Sequence, residues 1–231
     1  MPKYIKAFSA HTDYESFMQT TDFTLPNISH CVQQKETHFN PKNGAKLIAI
    51  FNLTSGSNPS LYYYHEGTYL GSNMFSKIEI DGTEVSIESL DNNGGCYDLP
   101  HGRHVVEYTL KNPLRIGREF DTQTGEYTEI NACFDNVLFQ DVALPSSLVK
   151  IGEDAFNYCQ YLENVSLPSG LKSICRYAFH NCHNLITVNI PSGIQTIEDM
   201  SFCGCYSLDD DSYNAISAIN TNTRYCGDNV K

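Results

Sequence analysis

LPSSLVKIGEDAFNYCQYLENVS at residues 144–166, LPSGLKSICRYAFHNCHNLITVN at 167–189 and IPSGIQTIEDMSFCGCYSL at 190–208 say nearly the same thing three times, in steps of 23 residues. Pro145, Pro168 and Pro191 fall in register, as do Leu148, Leu171 and Ile194, then Ile151, Ile174 and Ile197. Phe156, Phe179 and Phe202 follow, then Cys159, Cys182 and Cys205, then Leu162, Leu185 and Leu208, while Ala155 and Ala178 are matched by Ser201. A fixed period of this length marks a stack of coils, because one coil cannot bury its own apolar face and does so against the next. The three Phe are therefore expected to form a column inside the stack, and function is to be sought on a repeated surface.

Within each coil the short run before the Pro alternates. In Asn164-Val165-Ser166-Leu167 the side chains of Val165 and Leu167 point one way and those of Asn164 and Ser166 the other. With the apolar set turned inward, Asp141, Ala143, Asn164, Ser166, Thr187 and Asn189 become the outward row of a small parallel sheet. The candidate ligand-binding face is accordingly Asp141, Asn164, Ser166, Thr187 and Asn189, polar side chains suited to hydrogen-bonding a glycan or an extended peptide. No aromatic residue lies in that row.

The shared pattern LPxxLxxIxxxAFxxCxxLxxV resembles the BspA-type leucine-rich repeat of surface proteins from Bacteroides-like bacteria. The resemblance covers a little over a quarter of the chain. It implies a right-handed solenoid used for adhesion or ligand binding, at the cell surface or after secretion, with a host or bacterial surface protein or glycan as partner. It brings no catalytic residues with it.

Outward from the repeats, residues 113 to 143 read as an imperfect first coil. Ile116-Gly117 and Phe120 echo the Ile and Phe of a coil, Asp121 to Glu126 reads as an inserted turn, and Phe139 and Val142 recover the register of Leu162 and Val165. Terminal coils are expected to be atypical, having a neighbour on one side only. At the far end Asp209-Asp210-Asp211 offers helix caps, and Tyr213, Ile216 and Ile219 lie on one helical stripe, so a helix is expected to close the stack. Upstream, Leu47 to Leu53 is an apolar run of strand length, Ser76 to Asp81 and His104 to Leu110 alternate, and Asp81-Gly82 signals a hairpin. Val85-Ser86-Ile87 and Gly94 to Tyr97 are read as further short strands and a turn. These signals suggest a small antiparallel immunoglobulin-like sandwich over 46–112. Residues 1–45 carry little periodicity and read as an N-terminal arm, with a possible helical turn from Asp13 to Met18. Its run Leu25 to Cys31, followed by His38-Phe39-Asn40-Pro41, resembles a leader module of Bacteroides surface and phage-structural proteins. The expected fold is thus mainly β with short helices: arm 1–45, sandwich 46–112, and a solenoid of 23-residue coils with a helical cap over 113–231.

Composition bounds the function. The formal net charge is −12 and the pI about 5.0, against a nucleic-acid or anionic-membrane partner, since both need clustered Lys and Arg. No apolar run of membrane-spanning length is present, and Met1 to Phe8 is not followed by a secretory core. The chain is therefore expected as a surface or secreted protein trimmed of its signal, as a cytoplasmic protein or, alternatively, as a structural or receptor-binding component of a phage particle or other assembly. Oligomeric state stays open. Of nine Cys, three belong to the repeat, and no disulfide framework is evident. Cys175, His180, Cys182, His183, Cys203 and Cys205 are the densest set of metal-ligand types, but Cys182 and Cys205 share the inward position of Cys159, where Cys serves as a small buried hydrophobe. His101 and His104 lack a third ligand and read as turn residues, and Asp209 to Asp211 lack the spacing of a calcium loop. None of the common nucleotide-binding, serine-hydrolase or zinc-protease motifs occurs. No catalytic residue, metal or cofactor is expected.

Overall fold

The computed structural model describes residues 46–54, 56–65, 69–121 and 123–219. The N-terminal arm 1–45, with its leader-like run and the turn expected at 13–18, lies outside the described residues, as does the chain beyond 219.

Each coil of the repeat contributes two short strands. The first series is β8 (Asp141–Ala143), β10 (Asn164–Ser166) and β12 (Thr187–Val188), paired parallel with Val142 beside Val165 and Val165 beside Val188. The second is β5 (Arg115–Ile116), β9 (Lys150–Ile151), β11 (Ser173–Ile174) and β13 (Thr196–Ile197), also parallel, with Ile116, Ile151, Ile174 and Ile197 in one row. Between the two sheets lie the matched apolar side chains. Phe156, Phe179 and Phe202 are buried and stacked nearly face to face, their centroids 5.1 and 5.0 Å apart and their planes within 10°. The expected column is there.

The column has a fourth member that was not foreseen. Phe134 stacks on Phe156 at 5.6 Å and 7°, in the place the sequence pattern assigned to Phe120. Phe120 instead sits 42% exposed on a hairpin of β6 (Arg118–Asp121) and β7 (Glu126–Ile130), against Tyr127. The reason is the insertion. Ile116 occupies its coil position beside Ile151, the chain then leaves the coil to make the hairpin, and it rejoins only at Asn131 to Phe134, where Asn131 N donates to Gly117 O and Gly117 N to Ala132 O.

Residues 46–112 differ from the sandwich that their strand signals suggested. β1 (Lys46–Leu53), β2 (Phe75–Ile80), β3 (Thr83–Val85) and β4 (Gly102–Leu110) all lie in one sheet, in the order β1-β4-β2-β3. No second sheet from this stretch faces them among the described residues. The free edge of β1 is taken by β8, with Ile48, Ala49 and Ile50 opposite Ala143, Val142 and Asp141. The result is a seven-stranded sheet, β12-β10-β8-β1-β4-β2-β3, that runs across the expected boundary at 112. An exposed edge of a parallel ladder invites pairing, and β1 supplies it antiparallel. Its apolar run fits that central position: Leu47 to Phe51 are all buried, with alternate residues joining the main core, so both faces of the strand are covered. The Asp81-Gly82 turn is as expected, both residues having positive φ (49° and 79°) between Ile80 and Thr83. Ile87, read as strand, instead begins a helical turn: α1 (Gly71–Met74) is followed by α2 (Ile87–Asn92), whose cap Ser86 accepts from Ser89 N.

At the other end α3 (Asp210–Ile219) closes the stack as expected. Asp209 Oδ1 accepts from Ser212 N at 2.8 Å and caps the helix. Ser212 Oγ in turn accepts from Val188 N at 2.8 Å, satisfying a donor on edge strand β12.

Candidate functional site

The five residues of the expected face are held by β8, β10 and β12 and the segment after them, but the structure does not leave them as a flat outward row. Asp141 and Ser166 are only 2% and 5% exposed, Asn164 and Thr187 are half-buried, and Asn189 is exposed. The expectation of an open strip is thus corrected. All five instead line one cleft of about 340 Å³, whose other wall carries Asp209, Asp211, Ser212 and Ala215 from the start of α3. The helix that seals the stack is also what turns the strip into a cleft. Its contribution was missed because Asp209 to Asp211 can be read as helix caps without any hint of which surface they would face.

Polar bonding is uneven along the cleft. Asp141 is committed: Oδ2 meets Arg103 Nη2 at 3.3 Å and Oδ1 accepts from Asn164 Nδ2 at 2.8 Å. Arg103, on β4, reaches the site because β1 and β4 extend the repeat sheet, a placement no local pattern foretold. Thr187 Oγ1 donates to Asp209 Oδ2 at 3.2 Å. Burial works to raise the pKa of Asp209, but the bonds from Ser212 and Thr187 outweigh it and hold this carboxyl below the ordinary range. Glu163 moves the other way, raised by burial and by nearby Asp141 against the pull of Arg103. Ser166 Oγ has no hydrogen-bond partner although it is buried in the cleft. A hydroxyl in that condition costs free energy until something bonds it.

The Cys and His cluster serves packing. Cys159, Cys182 and Cys205 are buried, and each thiol donates to the carbonyl of a Phe in the preceding coil: Phe134, Phe156 and Phe179, at 3.0, 3.1 and 3.1 Å. Burial keeps the Cys159 and Cys182 thiols far above their usual range. Burial likewise pushes Cys133 and Cys175 up to about 12. His180 Nδ1 lies 3.1 Å from both Asn157 Oδ1 and Asn181 Nδ2. Of the His101 and His104 pair, His101 is exposed, while His104 is buried between Asp81 Oδ2 at 2.8 Å and Pro100 O at 3.0 Å, pinning the hairpin turn. Among the described residues no group of three His, Cys, Asp or Glu side chains could hold a metal ion, and no helix is long and apolar enough to cross a membrane.

A second polar cluster holds the inserted hairpin. The Arg118 guanidinium lies over the rings of Tyr63, Tyr69 and Tyr127 at 5.4, 5.5 and 5.1 Å, and meets Asp135 at 3.3 Å and Asp154 at 3.5 Å. Burial pushes the Asp135 carboxyl up to about 6, with Arg118 pulling it down and Asp154 adding to the rise.

Residues 128–228, a little under half of the chain, match the family model described as BspA type Leucine rich repeat region (6 copies). Nothing matches the chain among the curated proteins or among the solved structures.

Proposed function

We propose that this is a non-enzymatic binding protein of the cell surface or the secreted fraction, in which the stacked coils act as a short leucine-rich repeat solenoid. Its cleft beside α3 receives an extended segment of a partner protein. The match of residues 128–228 to a leucine-rich repeat family supports protein binding as the general role. The single observation that carries the cleft is Ser166: a buried, unpartnered hydroxyl on the floor of a cavity large enough for a few residues of peptide.

The charge of the lining indicates what the segment carries. Asp141, Asp209 and Asp211 contribute carboxylates, no Lys or Arg lines the cleft among the described residues, and Arg103 is held against Asp141. A peptide that offers backbone groups to Asn164, Ser166 and Asn189 and a Lys or Arg side chain to Asp209 and Asp211 satisfies every wall. Charge-assisted bonds to a carboxylate are the stronger kind, and a rim charge such as Asp211 mainly speeds association.

The experiment is a peptide array probed with the whole chain. Binding to peptides that hold a basic residue in an otherwise uncharged extended stretch is expected, weakened at least tenfold by Asn164→Lys and by Ser166→Val. Hits indifferent to both substitutions, or confined to acidic peptides, overturn the reading.

A further inference from the structure

The corner of each coil after the Phe column presents a different surface. In three successive coils it reads Asn157-Tyr158-Cys159-Gln160-Tyr161, His180-Asn181-Cys182-His183-Asn184 and Cys203-Gly204-Cys205-Tyr206-Ser207. With Cys159, Cys182 and Cys205 turned inward, what remains outside is aromatic rings, imidazoles and amides, with Ser207 and the half-buried Cys203. None of these fifteen positions is charged, in a chain with 27 acidic and 15 basic residues.

Backbone conformation singles out one of the rings. Tyr158, Asn181 and Gly204 occupy the same place in the three coils, and all have left-handed φ, at 56°, 59° and 84°. Gly adopts that region freely and Asn tolerates it, but a bulky side chain is strained there. Tyr158 is nevertheless 43% exposed, and what its backbone gains there is the rung bond from its N to His180 O at 2.8 Å, which Asn181 repeats to Cys203 O at 2.7 Å. Tyr177, half-buried, has a left-handed φ of 58° that Asp154 and Met200 share in its own column. Both rings meet His180 edge on, at 5.8 Å for Tyr158 and 5.2 Å for Tyr177, and the imidazole is fixed by Asn157 and Asn181. Two coils along, Tyr206 is 58% exposed and lies nearly parallel to His183 at 5.4 Å and 24°. The rung bond accounts for the backbone but not for the exposed ring at 158, since Asn, as at 181, makes the same bond with less strain.

We propose that this corner, with Tyr158, Tyr161, His180, His183 and Tyr206, is a second binding site, which takes a neutral oligosaccharide. Sugar rings have apolar C–H faces that settle on the negative face of an aromatic ring, and their hydroxyls need donors and acceptors of the amide kind, as on Asn157, Gln160, Asn181 and Asn184. Three coils at about 4.8 Å spacing give room for a short chain of such rings. Protein interfaces enrich Tyr together with Phe, Met and Arg, and none of the fifteen corner positions is Phe, Met or Arg, amides standing there instead. Burial lowers the pKa of His180, against the pull of Asp154, so that imidazole stays uncharged at neutral pH.

The test is calorimetric titration of the whole chain with neutral hexasaccharides of glucose, mannose, xylose and N-acetylglucosamine, in low and high salt. At least one is expected to bind with an affinity that salt leaves unchanged. Tyr158→Asn, which installs the residue of the next coil, is expected to weaken it at least tenfold while the Tm does not fall, and Tyr206→Ala to weaken it similarly. Asn164→Lys, in the cleft, leaves it intact. Absence of binding across the panel, binding untouched by Tyr158→Asn, or a Tm lowered by that substitution each overturn the proposal.

Discussion

Residues 144–208 and residues 46–112 both bury aromatic rings, by opposite means. In the coils the rings lie parallel at a fixed spacing and carry no polar atom. In the upstream sheet Tyr62, Phe75 and Tyr108 are tilted against one another by 44° and 54°, and each Tyr ends in a hydrogen bond: Tyr108 Oη to Leu61 O at 2.6 Å, Tyr62 Oη to Asp91 Oδ1 at 2.7 Å. The two groups meet at Phe134, which stacks on Phe156 and contacts both Phe75 and Tyr108. A repeat solves its packing once and copies the answer; the element that ends a repeat must match a copied surface on one side and finish an individual core on the other.

The largest effect is expected where the copying is interrupted. Phe179→Ala removes a ring with neighbours above and below and should cost about 3 to 5 kcal/mol, read as a lowered urea midpoint. Tyr108→Phe keeps the ring and loses a buried hydroxyl bond, with an expected cost of about 1 to 3 kcal/mol, because the Leu61 carbonyl is left unmet. If Tyr108→Phe proved as damaging as Phe179→Ala, the distinction between a shape-held and a bond-held core would fail.

Gly152 marks the seam between copied and individual structure. Its equivalents in the next two coils are Cys175 and Glu198, yet a Cβ at 152 would meet Arg118 O at 2.5 Å and Ile116 O at 2.8 Å. The inserted hairpin leaves the coil here, and its backbone takes the space that a side chain fills elsewhere. Gly152→Ala is therefore expected to cost about 1 to 3 kcal/mol, measured by thermal melting, whereas Cys175→Ala should cost less.

This contrast also explains what could be read in advance. The Phe column, the parallel rungs and the capping helix were legible because each rests on residues that recur every 23 positions or on a local cap. The sandwich was not, since alternation in Ser76 to Asp81 and His104 to Leu110 gives strands without saying which sheet they join. The continuous run Leu47 to Phe51 held a clue, being apolar on both faces, as a strand between two neighbours must be. Phe120 was misplaced because an insertion shifts register silently. At the site, alternation puts Asp141, Asn164, Ser166, Thr187 and Asn189 on one side of the sheet, and all five line one cleft, but the lid made by α3 and the reach of Arg103 from β4 depend on tertiary contacts, so their burial was invisible. The corner rings carry no periodic signal, because Tyr158, Tyr161 and Tyr206 stand at three different places of the repeat and none recurs in the next coil.

The Arg118 cluster gives the seam between the inserted hairpin and the first coil a pH signature. Asp135, with a folded-state pKa of about 6 against an ordinary value near 4, holds its proton more tightly when folded. Its contribution to stability is thus full below about pH 4 and lost as pH rises through about 6. Asp154 and Glu153, both raised by burial, act in the same direction. Asp91, Asp209 and Glu79 are lowered and act oppositely, but theirs is lost only as pH falls through the acid range below about 4. Between pH 7.5 and 5 the first group and Glu163, raised likewise by burial, favour the folded state as pH falls, and His180, whose pKa burial lowers, opposes them; among the described residues four carboxyls outweigh one imidazole, and the Tm should rise on acidification. Asp135→Asn should remove much of that rise, a difference of at most about 2 kcal/mol given the partial exposure of the carboxyl. An unchanged slope in the variant would show that Arg118 keeps Asp135 ionised throughout.

The smallest effect separates two readings of one column. As small buried hydrophobes Cys159, Cys182 and Cys205 would be replaceable by any apolar group of like volume. The structure adds a bond, since each thiol donates to a Phe carbonyl one coil back. The thiol of Cys182 remains protonated because burial disfavours the thiolate, so the donor is present at any moderate pH. Cys182→Val keeps apolar character and roughly the volume but leaves Phe156 O without that donor, and should cost about 0.5 to 1.5 kcal/mol. Cys182→Ser restores a donor in a smaller, more polar side chain, and should recover part of the loss if the bond matters more than the hydrophobic contact. Equal urea midpoints for wild type and Cys182→Val would return the column to packing alone, and the copied half of the molecule would then be held by shape with no polar bond from side chain to backbone in its Cys column.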